Sequence, residues 1–361
     1  KLEGIGWFTY ESLKRITQQH PEHQFYFFFD RPFHDEFIFS SNISAKVLFP
    51  PARHPVLWYW WFEQALPRAL KKVNPDIFLS PDGYGSLRTK CKQVVVIHDL
   101  AFEHFNDHVD FLTSRYYRHF TPLYAHKATR IATVSQFSKD DIVNQYGISP
   151  SKIDVVYNGS NELFKPLNEA EKDAVKKEFS SGCDYFIYAG ALQPRKNIIK
   201  LFLAFDEFKK KTSSPLKLVM AGRNWSYHEA MKVHASMQYK QDVVFPGHLT
   251  RVELSRLMGA ALSMVYVSLF EGFGIPIVEA MNCGVPVLTS NVSSMPEIAG
   301  DAGLLADPDS VEDIAQKMEQ LYLNDRLRND LIEKGKIQRN KFGWQQTADR
   351  LWECVMKSIE T

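Results

Sequence analysis

The sequence predicts an α/β fold built from two doubly wound domains. Three observations lead there. Short apolar runs alternate with amphipathic helical stretches through nearly all of the 361 residues. Several of the runs are continuously apolar, the pattern of parallel strands covered on both faces. The rhythm also occurs twice, on either side of a charged stretch at 161–184 that contains a Pro and a Ser-Ser-Gly break. A chain of this length favours two domains, and strand–helix alternation favours parallel sheets.

The elements follow in order. Lys1 stands directly before Gly4 and Gly6, where an α/β domain ordinarily has a strand. A short first strand is therefore expected to be absent from this sequence. Strands are expected at QFYFFFD (24–30), DIFLSP (76–81), QVVVIHD (93–99), RIATVS (130–135) and IDVVYNG (153–159). WYWWFEQALPRAL (58–70) has helix-spaced apolar residues interleaved with Glu63, Gln64 and Arg68. It reads as a core helix, with a membrane-touching patch as the alternative. Ser135 reads as a helix cap, with Ser138 and Asp141 forming a capping box. The second half repeats the pattern at YFIYAGAL (185–192), LKLVMAG (216–222), VVFPGHL (243–249), SMVYVSL (263–269) and VPVLTSN (285–291). Lys209–Lys210–Lys211 reads as a solvated helix end. The boundary is expected between Lys165 and Asn168, giving domains of 1–166 and 167–343. A closing helix, 344–361, is expected to pack back on the first domain.

Composition excludes several classes of function. Hydrophobic residues make up 45% and charged residues 24% of the chain, an ordinary globular balance. A net charge of +1 provides no global field that would select nucleic acid. The four cysteines are scattered with no CxxC pair, which fits reduced thiols in the cytoplasm. No apolar run reaches the roughly 18 residues of a membrane span.

The most informative stretch is FEGFGIPIVEAMNCGVPVLTSN (270–291). A strand ends at Leu269, a Gly-x-Gly turn follows, and Pro276 suits the first turn of a helix that Gly284 would stop. In open α/β sheets ligands bind at the carboxyl ends of strands, and a glycine turn leading to a helix start suits phosphate. Two glutamates, Glu271 and Glu279, flank that site. Carboxylates accept hydrogen bonds, and vicinal sugar hydroxyls donate them. One glutamate for a hexose and one for a ribose, around a phosphate site, describes a nucleotide sugar.

The longer segment EGFGIPIVEAMNCGVPVLTSNVSSMPEIAGDAGLLADP resembles the E-x7-E region of the family 4 retaining glycosyltransferases. The resemblance implies a GT-B fold, two Rossmann-like domains facing each other across a cleft, with the donor held mainly by the second. Glu271 would then contact the transferred sugar and Glu279 the ribose. Main-chain groups of Gly272, Phe273, Gly274 and Ile275 would surround the phosphates. AGALQPRKNI (189–198), with Gly190, Arg195 and Lys196, resembles the family's diphosphate clamp; Arg and Lys are suited to that charge. Many members carry Arg where this chain has Ala191, so Arg195 would have to serve in its place. Gly4 and Gly6 resemble the first glycine loop. Gly247, His248 and Leu249 occupy the base-binding segment, and His98, at a strand tip, the position beside the transferred sugar. Asp99 reads as orienting local backbone.

The order of GIGWFTYESL, HDL, TVSQFSKDDI, YNG and PRKN is most similar to bacterial enzymes that build surface polysaccharides, many of which use GDP-mannose. The expected activity is retaining hexosyl transfer, best guess mannose, to a glycan or lipid-linked acceptor. It needs no cofactor and no metal, and takes place in the cytoplasm, with peripheral contact at the inner face of the membrane left open. A UDP-sugar donor is the alternative, and a nucleotide-sugar epimerase of the same fold a more distant one. Arg115, Tyr116 and Arg118 are the acceptor candidates. A metal cluster drawn from His98, Glu103, His104, His108 and Asp110 matches no strong ligand spacing.

Overall fold

The structure, a computed structural model, describes residues 4–105, 110–222, 227–247 and 249–360. Position 108, part of the metal cluster considered above, and position 248, the expected base-side histidine, lie outside them. The chain divides into two compact units, Lys1–Gly159 with Gly343–Thr361, and Ser160–Phe342. The first division falls earlier than the charged stretch suggests. Gly159 explains why: a Cβ there would lie 2.4 Å from the backbone nitrogen of Trp344, so the chain up to this glycine is built against the closing helix.

In the first unit, α1 (Gly4–Gln19) leads into β1 (Phe25–Phe29) and β2 (Ile43–Val47), which pair in parallel as a separate two-stranded sheet. A second sheet has the order β3 (Ile77–Ser80), β4 (Lys92–Ile97), β5 (Arg130–Thr133), β6 (Ile153–Val155), all parallel. Between β2 and β3 run α2 (Pro55–Trp60), a π-helical turn (Trp61–Ala65) and α3 (Leu66–Val73). α4 (Ala101–His104) and α5 (Phe111–Lys127) follow β4, and α6 (Gln136–Tyr146) follows β5. The valines of β4 are fully buried, as their continuous run predicts.

In the second unit, α7 (Glu169–Ser180) precedes one parallel sheet. Its strands are β7 (Tyr185–Ala189), β8 (Lys217–Ala221), β9 (Val243–Val244), β10 (Ser263–Tyr266), β11 (Val287–Ser290) and β12 (Gly303–Ala306). Their order is β12-β11-β10-β7-β8-β9. α8 (Ile198–Thr212), α9 (His228–Ser236), α10 (Arg251–Gly259), α11 (Ile275–Asn282) and α12 (Met295–Ala299) connect the strands. α13 (Val311–Leu323) and α14 (Asp325–Gln338) follow. The direction of winding reverses between β7 and β10. Such a switch point opens a crevice at the carboxyl ends of its two strands. α15 (Trp344–Glu360) closes the chain in the first unit, where Thr347 Oγ1 donates to Tyr157 O at 2.7 Å and Lys92 Nζ to Ile359 O at 2.8 Å.

Three local expectations change. Gly4 and Gly6 lie in the first turns of α1 rather than in a loop. Lys209 is not solvated: it is 2% exposed and its ammonium reaches Asp242 at 2.8 Å and Leu216 O at 3.0 Å, while Lys210 and Lys211 stay outside. Ser135 does cap α6, accepting from Ser138 N at 3.0 Å, but Asp141 forms no box with Ser138 and instead binds His104 at 2.9 Å.

Candidate active site

The site begins with two turns that leave the switch-point strands. After β7 the chain passes Gly190, whose N–H donates to Ala221 O at 2.9 Å. The tips of β7 and β8 approach so closely that a Cβ on Gly222 would stand 1.9 Å from Gly190 O. A single 3-10 turn, Pro194–Lys196, ends at Asn197, which is left-handed at φ 59. Asn tolerates that region better than most residues. Its amide nitrogen donates to Val267 O at 3.1 Å and Pro308 O at 2.7 Å, which fixes the start of α8. Leu269 N donates to Arg195 O at 2.8 Å. The Arg195–Lys196 pair is thereby pinned beside the exit of β10.

The second turn runs from β10 to α11. Gly274 has φ 100, a left-handed conformation that favours glycine, and the helix starts with Ile275 and Pro276. Gly284, at φ 69, follows its last residues. Glu271 sits in this turn and its main chain is clamped from below. Its N–H donates to Ser293 Oγ at 2.9 Å, and Ser294 Oγ lies 2.9 Å from the carbonyls of both Glu271 and Phe273. Phe273 itself is buried, with its ring edge-on against Phe342.

The Glu271 carboxylate is held by three donors. Arg195 Nη1 donates to Oε2 at 2.9 Å, Tyr266 OH donates to Oε1 at 2.8 Å, and Lys196 Nζ also reaches Oε1. Lys196 Nζ is 2.9 Å from the Tyr266 hydroxyl as well. Glu271 is 5% exposed and Lys196 8%. Burial alone pushes the carboxyl pKa up; the two cations outweigh it and hold Glu271 at about 2. The phenols of Tyr266 and Tyr188, stacked with ring centroids 6.2 Å apart, are pushed well above their usual range by burial and by the Glu271 charge. The pocket therefore combines a fixed anion, two cations and two neutral phenols. Ala191 contributes only its carbonyl, which accepts from Tyr188 OH at 2.8 Å, and Arg195 is already engaged with Phe270 O at 3.0 Å and with Glu271.

Glu279 lies in α11, equally buried at 5% exposure. Arg251 Nη2 donates to it at 2.9 Å. Arg251 is placed by a capping box at the start of α10, where Thr250 and Glu253 satisfy each other's N–H groups. Its guanidinium also stands 5.7 Å from the centre of the Phe164 ring. Burial raises the Glu279 pKa to about 7, and Arg251 opposes that only in part. Gly247 has φ 79 and open space where a Cβ would be; Leu249 is half-buried beyond it.

The first unit holds the remaining candidates. His98 follows β4; its Nε2 donates to Pro81 O at 2.8 Å, and its ring meets Phe8 edge-on at 4.9 Å. Burial lowers its pKa, so it is a neutral imidazole with the proton on Nε2. Asp99 accepts from Ala101 N at 3.0 Å, the local backbone role expected of it. The acceptor triad does not hold together. Tyr116 is buried, with its hydroxyl on Tyr124 at 2.8 Å, and Arg118 is occupied by Phe102 O at 3.1 and 3.0 Å, whereas Arg115 is exposed. The structure thus gathers Glu271, Arg195 and Lys196 in one cluster and sets Glu279 apart with Arg251. Tyr266, Asn197 and Arg251 went unassigned from sequence. Arg251, four residues after Gly247, was signalled only by the charge-bearing start of a capped helix.

The Glycosyl transferases group 1 family matches residues 169–338, and Glycosyltransferase Family 4 matches residues 2–162. This chain belongs to the family 4, group 1 glycosyltransferases. An O-antigen chain mannosyltransferase B of Escherichia coli is 28% identical over 95% of this chain and 93% of that protein. The O-antigen chain mannosyltransferase RfbU of Salmonella typhimurium is 27% identical over 78% of this chain and 75% of its own length. Among solved structures, Anabaena Alr3699/HepE in complex with UDP and glucose superposes with a TM-score of 0.75, covering 99% of this chain and 96% of that one, at 16% identity. That likeness is one of fold, the GT-B type with two Rossmann-like domains. Within this glycosyltransferase, the family match to 169–338 contains the whole Glu271 and Glu279 constellation.

Proposed function

We propose that this glycosyltransferase moves mannose from GDP-mannose, with retention, to a glycan or lipid-linked glycan acceptor in surface polysaccharide synthesis. The observation that carries the reading is the Glu271–Lys196–Arg195 cluster at the carboxyl ends of β7 and β10. In this reading Glu271 accepts from hydroxyls of the transferred sugar and Glu279 from those of the ribose. Arg195, Lys196 and the amides of the turn before α11 stabilise the departing diphosphate. Fixed groups aimed at developing charge are usually the largest catalytic term. The bond from the anomeric carbon to the diphosphate oxygen breaks. An acceptor hydroxyl attacks on the same face and gives its proton to the leaving phosphate. With two cations beside the diphosphate, the reaction is proposed to run without a metal. The choice of mannose rests on the names of the two O-antigen relatives.

A thermal-shift panel of GDP, GDP-mannose, UDP and UDP-glucose tests the reading. A ligand at 100 times its dissociation constant stabilises by about 2.7 kcal/mol, a shift visible in a melting curve. Stabilisation by the guanine compounds is expected. A shift with uridine compounds alone would replace the donor, and no shift with any would overturn the site.

A further inference from the structure

The two glutamates are held very differently, and the more loosely held one points to a residue that the transfer chemistry leaves without a part. Three donors converge on Glu271, so no single one decides where its carboxylate stands. Glu279 is as deeply buried, yet among the described residues one side chain donates to its carboxylate: Arg251 Nη2 reaches Oε1 at 2.9 Å. α11 fixes only the main chain of Glu279. The side chain turns about three further bonds, and ordering them costs conformational entropy. Burial also favours the neutral acid, and the charge of Arg251 is what opposes it. Both the orientation and the charge of Glu279 therefore depend on one arginine.

Arg251 is poorly suited to its own helix. It is the first residue of α10, where the helix dipole is positive and a cation is disfavoured. Its main chain is nevertheless locked there. Thr250 Oγ1 accepts from Glu253 N at 3.2 Å, and Glu253 Oε2 accepts from Thr250 N at 2.6 Å. The guanidinium is steadied by the Phe164 ring, whose centre is 5.7 Å away, a contact in which the ring face attracts the cation. Phe164 is itself 3% exposed and tied by its N–H to Asn161 O at 3.1 Å. Three segments thus meet at one guanidinium: the stretch before α7, the start of α10, and α11. The stability of α10 does not call for a cation at this position, whereas the placing of Glu279 does.

We propose that Arg251, backed by Phe164, is a positioning residue of the nucleotide site: it holds the Glu279 carboxylate in place for the ribose hydroxyls of the donor and touches no substrate itself. The proposal rests on the reading of Glu279 as the ribose acceptor. It makes the grip on the ribose a property of α10 and the Phe164 segment as much as of α11.

Calorimetric titration of the full chain with GDP and with 2′,3′-dideoxy-GDP tests it, in wild type, Arg251→Met, Glu279→Gln and the double variant R251M/E279Q. Arg251→Met should weaken GDP about five-fold, the upper range for a partly exposed pair, and leave the dideoxy nucleotide, which offers no ribose hydroxyls, within about two-fold. Glu279→Gln should weaken GDP about ten-fold. The double variant should match Glu279→Gln, because an arginine that acts only through Glu279 has nothing left to act on. Three results would overturn the proposal: Arg251→Met with wild-type affinity for GDP, equal losses for GDP and the dideoxy nucleotide, which a general loosening of the site would give, or losses that multiply in the double variant, which direct contact of Arg251 with the ligand would give. Wild-type GDP affinity in Glu279→Gln would instead overturn the ribose reading, and the proposal with it.

Discussion

Glu271 and Glu279 stand eight residues apart in one motif and are equally buried, at 5% exposure each, yet their proton affinities move in opposite directions. Glu271 is held at about 2 and Glu279 is raised to about 7. Burial is therefore not what separates them. Two cations and a phenol reach Glu271, whereas among the described residues Glu279 pairs with one cation, Arg251, whose side chain is 31% exposed. The lesson is that a buried carboxylate is tuned by how many donors arrive, and how desolvated they are. Glu271 is a permanent anion, the state that its proposed contact with sugar hydroxyls requires. Glu279 is poised, with its charged and neutral forms both accessible near neutral pH.

The largest expected effect comes from breaking the tighter cluster. Lys196→Met should cost about 3–5 kcal/mol of stability, because it strips a cation from a buried carboxylate. The double variant K196M/E271Q should recover a good part of that loss in urea denaturation; strict additivity would show that the pair is not coupled. Tyr266→Phe comes next, removing the phenolic donor to Glu271 for about 1–3 kcal/mol in the same measurement. Arg251→Met should cost less, about 1 kcal/mol, since Arg251 is partly exposed and its interaction is screened.

The smallest effect is a slope. The raised pKa of Glu279 means that the folded protein holds this proton more tightly than the unfolded chain, whose carboxyl titrates near 4.5. Its contribution to stability is therefore full below pH 4.5 and declines as pH rises to about 7. Glu271 has the opposite sign: its contribution is present above pH 4.5 and lost as pH falls towards 2. Melting curves between pH 5 and 8 should show Glu279→Gln gaining on wild type as pH rises and levelling off above 7. A constant difference would mean that Glu279 is ionised throughout.

Much of this was legible in the sequence because it was written in side-chain patterns. The continuous apolar runs became β4 and β7, and Pro276 and Gly284 marked the ends of α11 close to where they fall. β2 and β12 escaped notice. The first, ISAKV, is mostly exposed and carries no apolar run, and the second, GLLA, is a short edge strand following a Gly-Asp-Ala turn. The site divides in the same way. Glu271, Arg195 and Lys196 were visible as charges in glycine- and proline-marked turns. Tyr266 was hidden, since a tyrosine in a buried strand looks like any core aromatic until the fold shows its hydroxyl against Glu271. Tyr116 misled for the converse reason: its position between two arginines suggested a polar surface, but helical spacing turns it inward to Tyr124.

The division of labour between the two glutamates is tested most directly by measuring GDP-mannose binding and turnover side by side for Glu271→Gln and Glu279→Gln. Glu271→Gln should bind the donor within about three-fold of wild type and lose about 10²–10³ in turnover, the range for removing one group that acts on the transition state. Glu279→Gln should weaken donor binding about ten-fold, the loss of one charged hydrogen bond, and change maximal turnover far less. Two variants with the same profile, or both indistinguishable from wild type, would contradict separate roles for Glu271 and Glu279.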